Sequence, residues 1–217
     1  MTTPDTQAPT STAAAVVRLG GLALAFGRVD RITYHPDGVT PESDTDHTVM
    51  LGLLACALAQ KWFPGLNVGR VAQYALVHDL VEVYAGDTNT LRALDDAQKA
   101  DKRTREMAAA MRLDDEFGEL SWLSWTLMTY ENQDAPEARF VKMLDKLMPK
   151  ITHILNGAVT IHQQGMTRDE LVARYEAQGH ELGLYADQFP EVEELRRALV
   201  AEVLTRLDEQ GSDHTDG

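Results

Sequence analysis

The sequence predicts an all-α fold, and three observations carry that expectation. Between residues 12 and 208, apolar side chains recur three and four positions apart, the period of a helix face. The breaks in this pattern are short and marked by Pro, Gly, Asn or Asp. Only short runs such as RITY, residues 31–34, could be strands.

A first helix is expected over about residues 12–27, followed by an irregular arm, GRVDRITYHPDGVTPES. A second helix has Ser43, Asp44 or Thr45 as candidate caps and runs to about Phe63. The turn PGLN leads to a third, capped by Asn67 and ending near Gly86. After the loop DTNTLRAL come a charged helix over about 95–111 and another over about 114–130. Pro136 suits the first turn of a long helix reaching about residue 156, which Pro149 should bend. Two amphipathic helices complete the chain, over about 167–186 and 190–209. The polar ends, residues 1–11 and 209–217, read as disordered tails. The organisation is one domain over 12–208, with a core over 12–156 and C-terminal helices over 157–208.

At 217 residues, 44% hydrophobic and 25% charged, the chain has the composition of a soluble globular protein. Its net charge of −14 argues against polynucleotide binding, which needs clustered Lys and Arg. A small phosphorylated ligand is compatible, because one metal ion or one or two arginines neutralise it locally. Cys56 is the only cysteine, so neither an intrachain disulfide nor a thiolate cluster can form, and a reducing cytoplasm fits. No signal peptide or membrane span is read.

Several polar residues interrupt apolar helix faces. His47 shares a face with Met50, Leu51, Leu54 and Leu58. In ALVHDLVEVYAGD, residues 75–87, Glu82 lies four positions after His78 and three after Asp79. Asp145 breaks a face built from Val141, Leu144 and Met148. Each alone reads most simply as a hydrogen-bonded core or paired residue. Together they place inward-leaning ligand-type groups on three helices, and one shared divalent cation would satisfy them all. Trp122 and Trp125, with Leu123 and Leu127, read as core rather than as a base-stacking platform.

The order His47, His78-Asp79, Asp145 resembles the H…HD…D signature of the HD-domain metal-dependent phosphohydrolases. PESDTDHTVMLGLLA is similar to the family's PES-x-AEH helix start, ALVHDLVEVYAGD to its LLHD-xx-E-xxxGD segment, and PEARFVKMLDKL to its EAR-x-V-xxx-DK segment. The likeness covers about residues 12–155 and is strongest to the small 5′-deoxynucleotidase-like branch. It implies an HD-domain helical bundle with one divalent metal ion on His47, His78, Asp79 and Asp145. That ligand set suits Mn, Co, Fe, Ni, Zn or Mg without choosing among them. The resemblance further implies Glu82 as acid/base residue beside the nucleophilic water, and Asp87 as an acid orienting the water or leaving group. It also implies an arginine on the arm as the phosphate contact; Arg31 matches best in position, with Arg28 in reserve. One departure is Asp46, where the family usually has Glu.

The implied activity is a nucleotidase removing phosphate from (deoxy)nucleoside monophosphates, working as a homodimer. The second reading is a small HD-type dNTP phosphohydrolase, and the third a non-catalytic nucleotide-binding module. Val83 after Glu82 departs from the HD-xx-ED pattern of alarmone hydrolases, and no GYP segment of cyclic-dinucleotide hydrolases is found.

Overall fold

The segment before the first predicted ligand decides how the core begins. The Asp46 N–H donates to the Ser43 hydroxyl at 3.2 Å, and the Ser43 N–H donates to the Asp46 carboxylate at 3.0 Å. This reciprocal capping box starts helix α2, Asp44–Trp62, so Ser43 is the cap used among the three candidates. Asp46 closes the box despite being shorter than Glu, which accommodates that departure locally.

The computed structural model describes the backbone of residues 8–213 and the side chains of residues 12–209. Helix α1, Ala8–Phe26, precedes an arm that folds as an antiparallel ribbon of β1, Asp30–Tyr34, and β2, Pro41–Ser43. After α2 come α3, Val68–Val77, and the one-turn α4, Glu82–Ala85. The charged α5, Asp96–Phe117, leads to α6, Ser121–Glu131. Then follow α7, Pro136–Asp145, α8, Met148–Leu155, and the short α9, Val159–Gln163. The chain closes with α10, Arg168–Ala186, and α11, Pro190–Asp213. The all-α expectation holds. Strand β2 and helix α9 were not foreseen, being too short to leave a periodicity in the sequence.

The main core joins α2, α3, α7 and α8 through buried Leu51, Ala55, Tyr74, Phe140 and Leu144. A second cluster, with Leu22, Phe26, Leu113 and Phe117, joins α1, α5 and the end of α3. A third, with Ile161, Leu171 and Val203, ties α9, α10 and α11 together.

Two expected helices are interrupted, and both interruptions lie at the site. The helix through residues 75–87 stops at Val77 rather than near Gly86. It tightens through Leu80 N–H to Val77 O at 3.1 Å and Glu82 N–H to Asp79 O at 2.8 Å. Gly86, at φ 74°, then turns the chain where a side chain would be strained. The long helix expected over 136–156 breaks at Lys146 and Leu147. Pro149 has no N–H to give to the Asp145 carbonyl four residues back, so the bend falls one turn before the proline.

The expected tails need revision where they can be seen. Residues 8–11 continue α1 and residues 209–213 continue α11, whereas 1–7 and 214–217 lie outside the described residues. Trp122 and Trp125 are not core: they stand 42% and 46% exposed, while Leu123 and Leu127 take the inner side of α6.

Replacing Ser43 with Ala removes one side of the capping box. It should lower unfolding stability by about 1 kcal/mol in urea titration. An unchanged midpoint would show that the box does not hold the start of α2.

Candidate functional site

The helix interruptions bring three chain segments to one point. His47 lies one turn into α2 and is 1% exposed. His78 and Asp79 occupy the tight turn after α3, and Asp145 is the last residue of α7. One ligand-type atom from each of these four residues falls within 4.8 Å of the others, so the group could hold a metal ion. The His47 and His78 rings stack at 5.3 Å between centroids.

The chemistry of His78 tests whether a cation fits. Its Nδ1 lies 2.8 Å from the Ala75 carbonyl and so carries the proton it donates there. Nε2 is then left with a lone pair, buried and without a hydrogen-bond partner. It faces Asp79 Oδ2 at 3.1 Å and Asp145 Oδ1 at 3.8 Å. An imidazole lone pair against two carboxylate oxygens is repulsive, and a cation between them reverses the sign.

His47 is held in a similar way. Its Nε2 lies 3.2 Å from Asp145 Oδ1, and its Nδ1 lies 3.4 Å from Glu42 Oε1. Glu42 is 3% exposed, and its other oxygen accepts from the Thr33 hydroxyl and, at 3.2 Å, from Thr152. A carboxylate behind a ligand histidine fixes its ring and tautomer. The sequence reading passed over Glu42, although it lies in the PES segment; nothing in periodicity alone marks a strand residue as a histidine partner.

Arg31 reaches the same centre from β1. Its Nη1 donates to Asp44 Oδ1 at 2.8 Å and Asp79 Oδ2 at 2.9 Å, and lies 3.8 Å from Glu82 Oε2. Arg28 is exposed in the turn after α1 and does not line the cleft, so of the two arginines only Arg31 is brought in. Lys146 Nζ donates to Asp145 Oδ2 at 2.8 Å.

These contacts set the charge states. Burial raises Asp79 and Asp145, but positive charge leads the opposing causes, at His78 (a proton on Nε2, where a cation could stand instead) for the first and at Lys146 for the second, and both carboxyls end below the usual range. Burial lowers His47, yet Asp145 and Glu42 outweigh it and raise the imidazole to about 9. For Glu82, burial and then the Asp79, Asp44 and Asp87 carboxylates push the value up to about 10. Burial likewise raises Asp87, which lines the cleft.

The centre opens into a cleft of about 470 Å³. Away from the acidic centre its wall carries Arg92, Lys99, Lys102, Arg103, Lys142 and Arg174, against Glu106, Glu131 and Glu181. A smaller pocket of about 60 Å³ adjoins it across Arg31 and Asp87, backed by Lys150 and His153. Burial pushes Lys150 down to about 7 and His153 down to about 4. His162 and His180 are exposed, in keeping with a surface role.

A family model described as HD domain matches residues 27–183. The zebrafish Danio rerio protein named 5′-deoxynucleotidase HDDC2 is 35% identical over 111 residues, 49% of this chain and 52% of that protein. The 5′-deoxynucleotidase hdd1 of Schizosaccharomyces pombe is 29% identical over 112 residues, 49% of this chain and 54% of that one. The matched region thus spans about half the length of these relatives. Among solved structures, one described as a predicted metal-dependent phosphohydrolase from Magnetospirillum magnetotacticum MS-1 superposes with a TM-score of 0.72 at 28% identity, over 91% of this chain and 95% of that one. A Pyrococcus horikoshii OT3 protein, PH0347, shares the fold with a TM-score of 0.57 at 22% identity, over 84% of this chain and 99% of that one. With the family match extending over most of its length, from the β-ribbon arm into α10, the chain belongs to the HD domain family.

Proposed function

We propose that this protein is a nucleotidase that hydrolyses the 5′-phosphomonoester of (deoxy)nucleoside monophosphates. One divalent cation, Mn, Co, Fe, Ni, Zn or Mg, would be held by His47, His78, Asp79 and Asp145. The observation that carries the reading is the convergence of this cluster with Arg31 and Glu82, with His78, Asp79, Asp145, Arg31 and Glu82 all lining one cleft. The relatives named 5′-deoxynucleotidase support the substrate class.

Such a cation would polarise the phosphoryl group and acidify a water molecule. The chain's own residues do the rest. Arg31 presents a guanidinium to phosphate oxygens, which suits planar two-point recognition. Glu82, 5% exposed and protonated while the cluster lacks added positive charge, would be ionised by a cation there and is then placed to take the proton of the attacking water. Water adds to phosphorus, the P–O5′ bond breaks, and the nucleoside oxygen leaves with the proton that Glu82 took from the water. Asp87, at the cleft wall after Gly86, orients the water or the leaving group.

The cationic outer wall favours a second reading, in which the cleft accepts the longer phosphate chain of a dNTP. A panel of nucleotides with several divalent metals separates the two. Orthophosphate from dNMPs supports the first reading; pyrophosphate or tripolyphosphate from dNTPs supports the second. The proposal takes the protein as a cytoplasmic homodimer. Its single cysteine, Cys56, is unpaired as a reducing compartment allows, and Trp122, Trp125 and Met128 offer exposed apolar surface on α6. Among the described residues no helix is long and apolar enough to cross a membrane.

Asp79→Ala should abolish both turnover and metal content while leaving helicity intact by circular dichroism; an active variant would remove the site. Glu82→Gln should keep the metal and lose about 10²–10⁴ in kcat. A variant with wild-type kcat would exclude Glu82 from the proton transfer.

Metal uptake should also depend on pH with a definite sign. In the metal-free protein His47 is raised to about 9, so at neutral pH it carries a proton that a metal must displace. Affinity should therefore rise with pH and level off near 9, with proton release on binding. Titration calorimetry in buffers of different ionisation enthalpy reads this directly. Affinity independent of pH between 6.5 and 8.5 would show that His47 is not a ligand.

A further inference from the structure

Asp44 is the least expected residue near the site. In the segment PESDTDH it occupies the position that the similar PES-x-AEH pattern leaves open. It is nevertheless 0% exposed, at the first turn of α2 and three residues before His47. A carboxylate buried this completely is costly unless it has a defined partner. Its partner is Arg31: Oδ1 accepts from Nη1 at 2.8 Å.

The guanidinium is engaged unevenly. Both of its hydrogen bonds within the protein run from Nη1, to Asp44 and to Asp79. Among the described residues Nε and Nη2 make none. These two nitrogens form the side edge of the guanidinium, the edge that binds two oxygens of a phosphate at once. Arg31 also lines the cleft. Asp44 thus pins the inner nitrogen and leaves the two-point edge unspent.

Resting on the nucleotidase reading above, we infer that Asp44 is a positioning residue that holds Arg31 so that its Nε–Nη2 edge receives the substrate phosphate. Without Asp44, Nη1 keeps only the cluster carboxylates Asp79 and Glu82, at 2.9 and 3.8 Å. The arginine then settles onto the metal-ligand side, where it competes with the cation for Asp79. Asp44, Asp79 and Glu82 also lie within 4.8 Å of one another, as a cation site would. Nη1 already sits among all three, so the guanidinium serves as the cation there.

The test is calorimetric titration of inorganic phosphate into Mn²⁺-loaded protein, for wild type, Asp44→Ala, Asp44→Asn, Arg31→Ala and the double variant Arg31→Ala with Asp44→Ala. Loss of a hydrogen bond to a charged group should weaken phosphate binding about tenfold in Asp44→Ala. Asp44→Asn, which keeps an acceptor oxygen, should lose less and guards against a misfolded alanine variant. Each should still bind one Mn²⁺ per chain, and Asp44→Ala should add no further loss once Arg31 is gone. On nucleotide substrates KM should rise more than kcat falls. The inference is overturned by wild-type phosphate affinity in Asp44→Ala, by an equal loss on the Arg31→Ala background, by no phosphate binding to wild type, or by two Mn²⁺ in wild type and one in Asp44→Ala. A wild-type protein that hydrolyses no nucleotide defeats the nucleotidase reading, while the phosphate titration still decides the role of Asp44.

Discussion

Buried ligand-type atoms aimed at one another are the constraint around which this molecule is arranged. The lone pair on His78 Nε2 faces the oxygens of Asp79 and Asp145, and His47 Nε2 converges on the same Asp145 oxygen. Glu82 and Asp44 add carboxylates a few ångström away. Such a cluster is unfavourable in a low-dielectric interior unless positive charge is supplied. The chain supplies part of it: Arg31 from the ribbon and Lys146 from the end of α7 each touch a cluster carboxylate. The remainder is a demand that a divalent cation would meet.

Holding that arrangement needs side chains from separate helices to converge, and the fold achieves this with helix ends. His78 and Asp79 lie where α3 ends at Val77 and the chain tightens into i→i+3 turns, so both stand at a helix end beside the cluster. Asp145 likewise stands at the end of α7, and there the cause is covalent, since Pro149 cannot bond to the Asp145 carbonyl. The backbone irregularities and the site therefore coincide in space. The regular parts, α2 with the buried Leu51 and Ala55 and α7 with Phe140 and Leu144, form the packed frame that keeps the irregular parts from relaxing.

This division explains what could be read from the sequence. Helical periodicity survives in long elements, so α2, α10 and α11 were legible, and Ser43 and Asn67 stood as candidate caps, while α5 runs on to Phe117 past its expected end near 111. The inward polar groups interrupt apolar faces, and the resemblance to the H…HD…D signature singled out His47, His78, Asp79 and Asp145 among them. What failed to show was whatever depends on hydrogen bonding rather than on pattern. The break after Val77 lies inside an unbroken apolar period. Glu42 and Asp44 belong to a short ribbon and a helix start, where an acid looks like ordinary solvent-facing polarity. Trp122 and Trp125 misled in the opposite direction, because large aromatic residues at helical spacing suggest burial that the neighbouring Leu123 and Leu127 take instead.

The charge distribution completes the physical argument. A protein of net charge −14 repels phosphorylated ligands at long range. The cleft reverses this locally, with Lys99, Lys102 and Arg103 adjacent on one face of α5 and Lys142 and Arg174 opposite. Screening confines interactions between exposed charges to about 8–10 Å at physiological salt, so an approaching phosphate responds to the nearby wall more than to the distant surface. At the floor the order inverts again: acids dominate, with Arg31 among them. An anion drawn in by the wall would therefore meet a centre that repels it unless a cation were in place. Metal loading and anion binding would thus be coupled by electrostatics, with Arg31, hydrogen-bonded to Asp44, between the two regions.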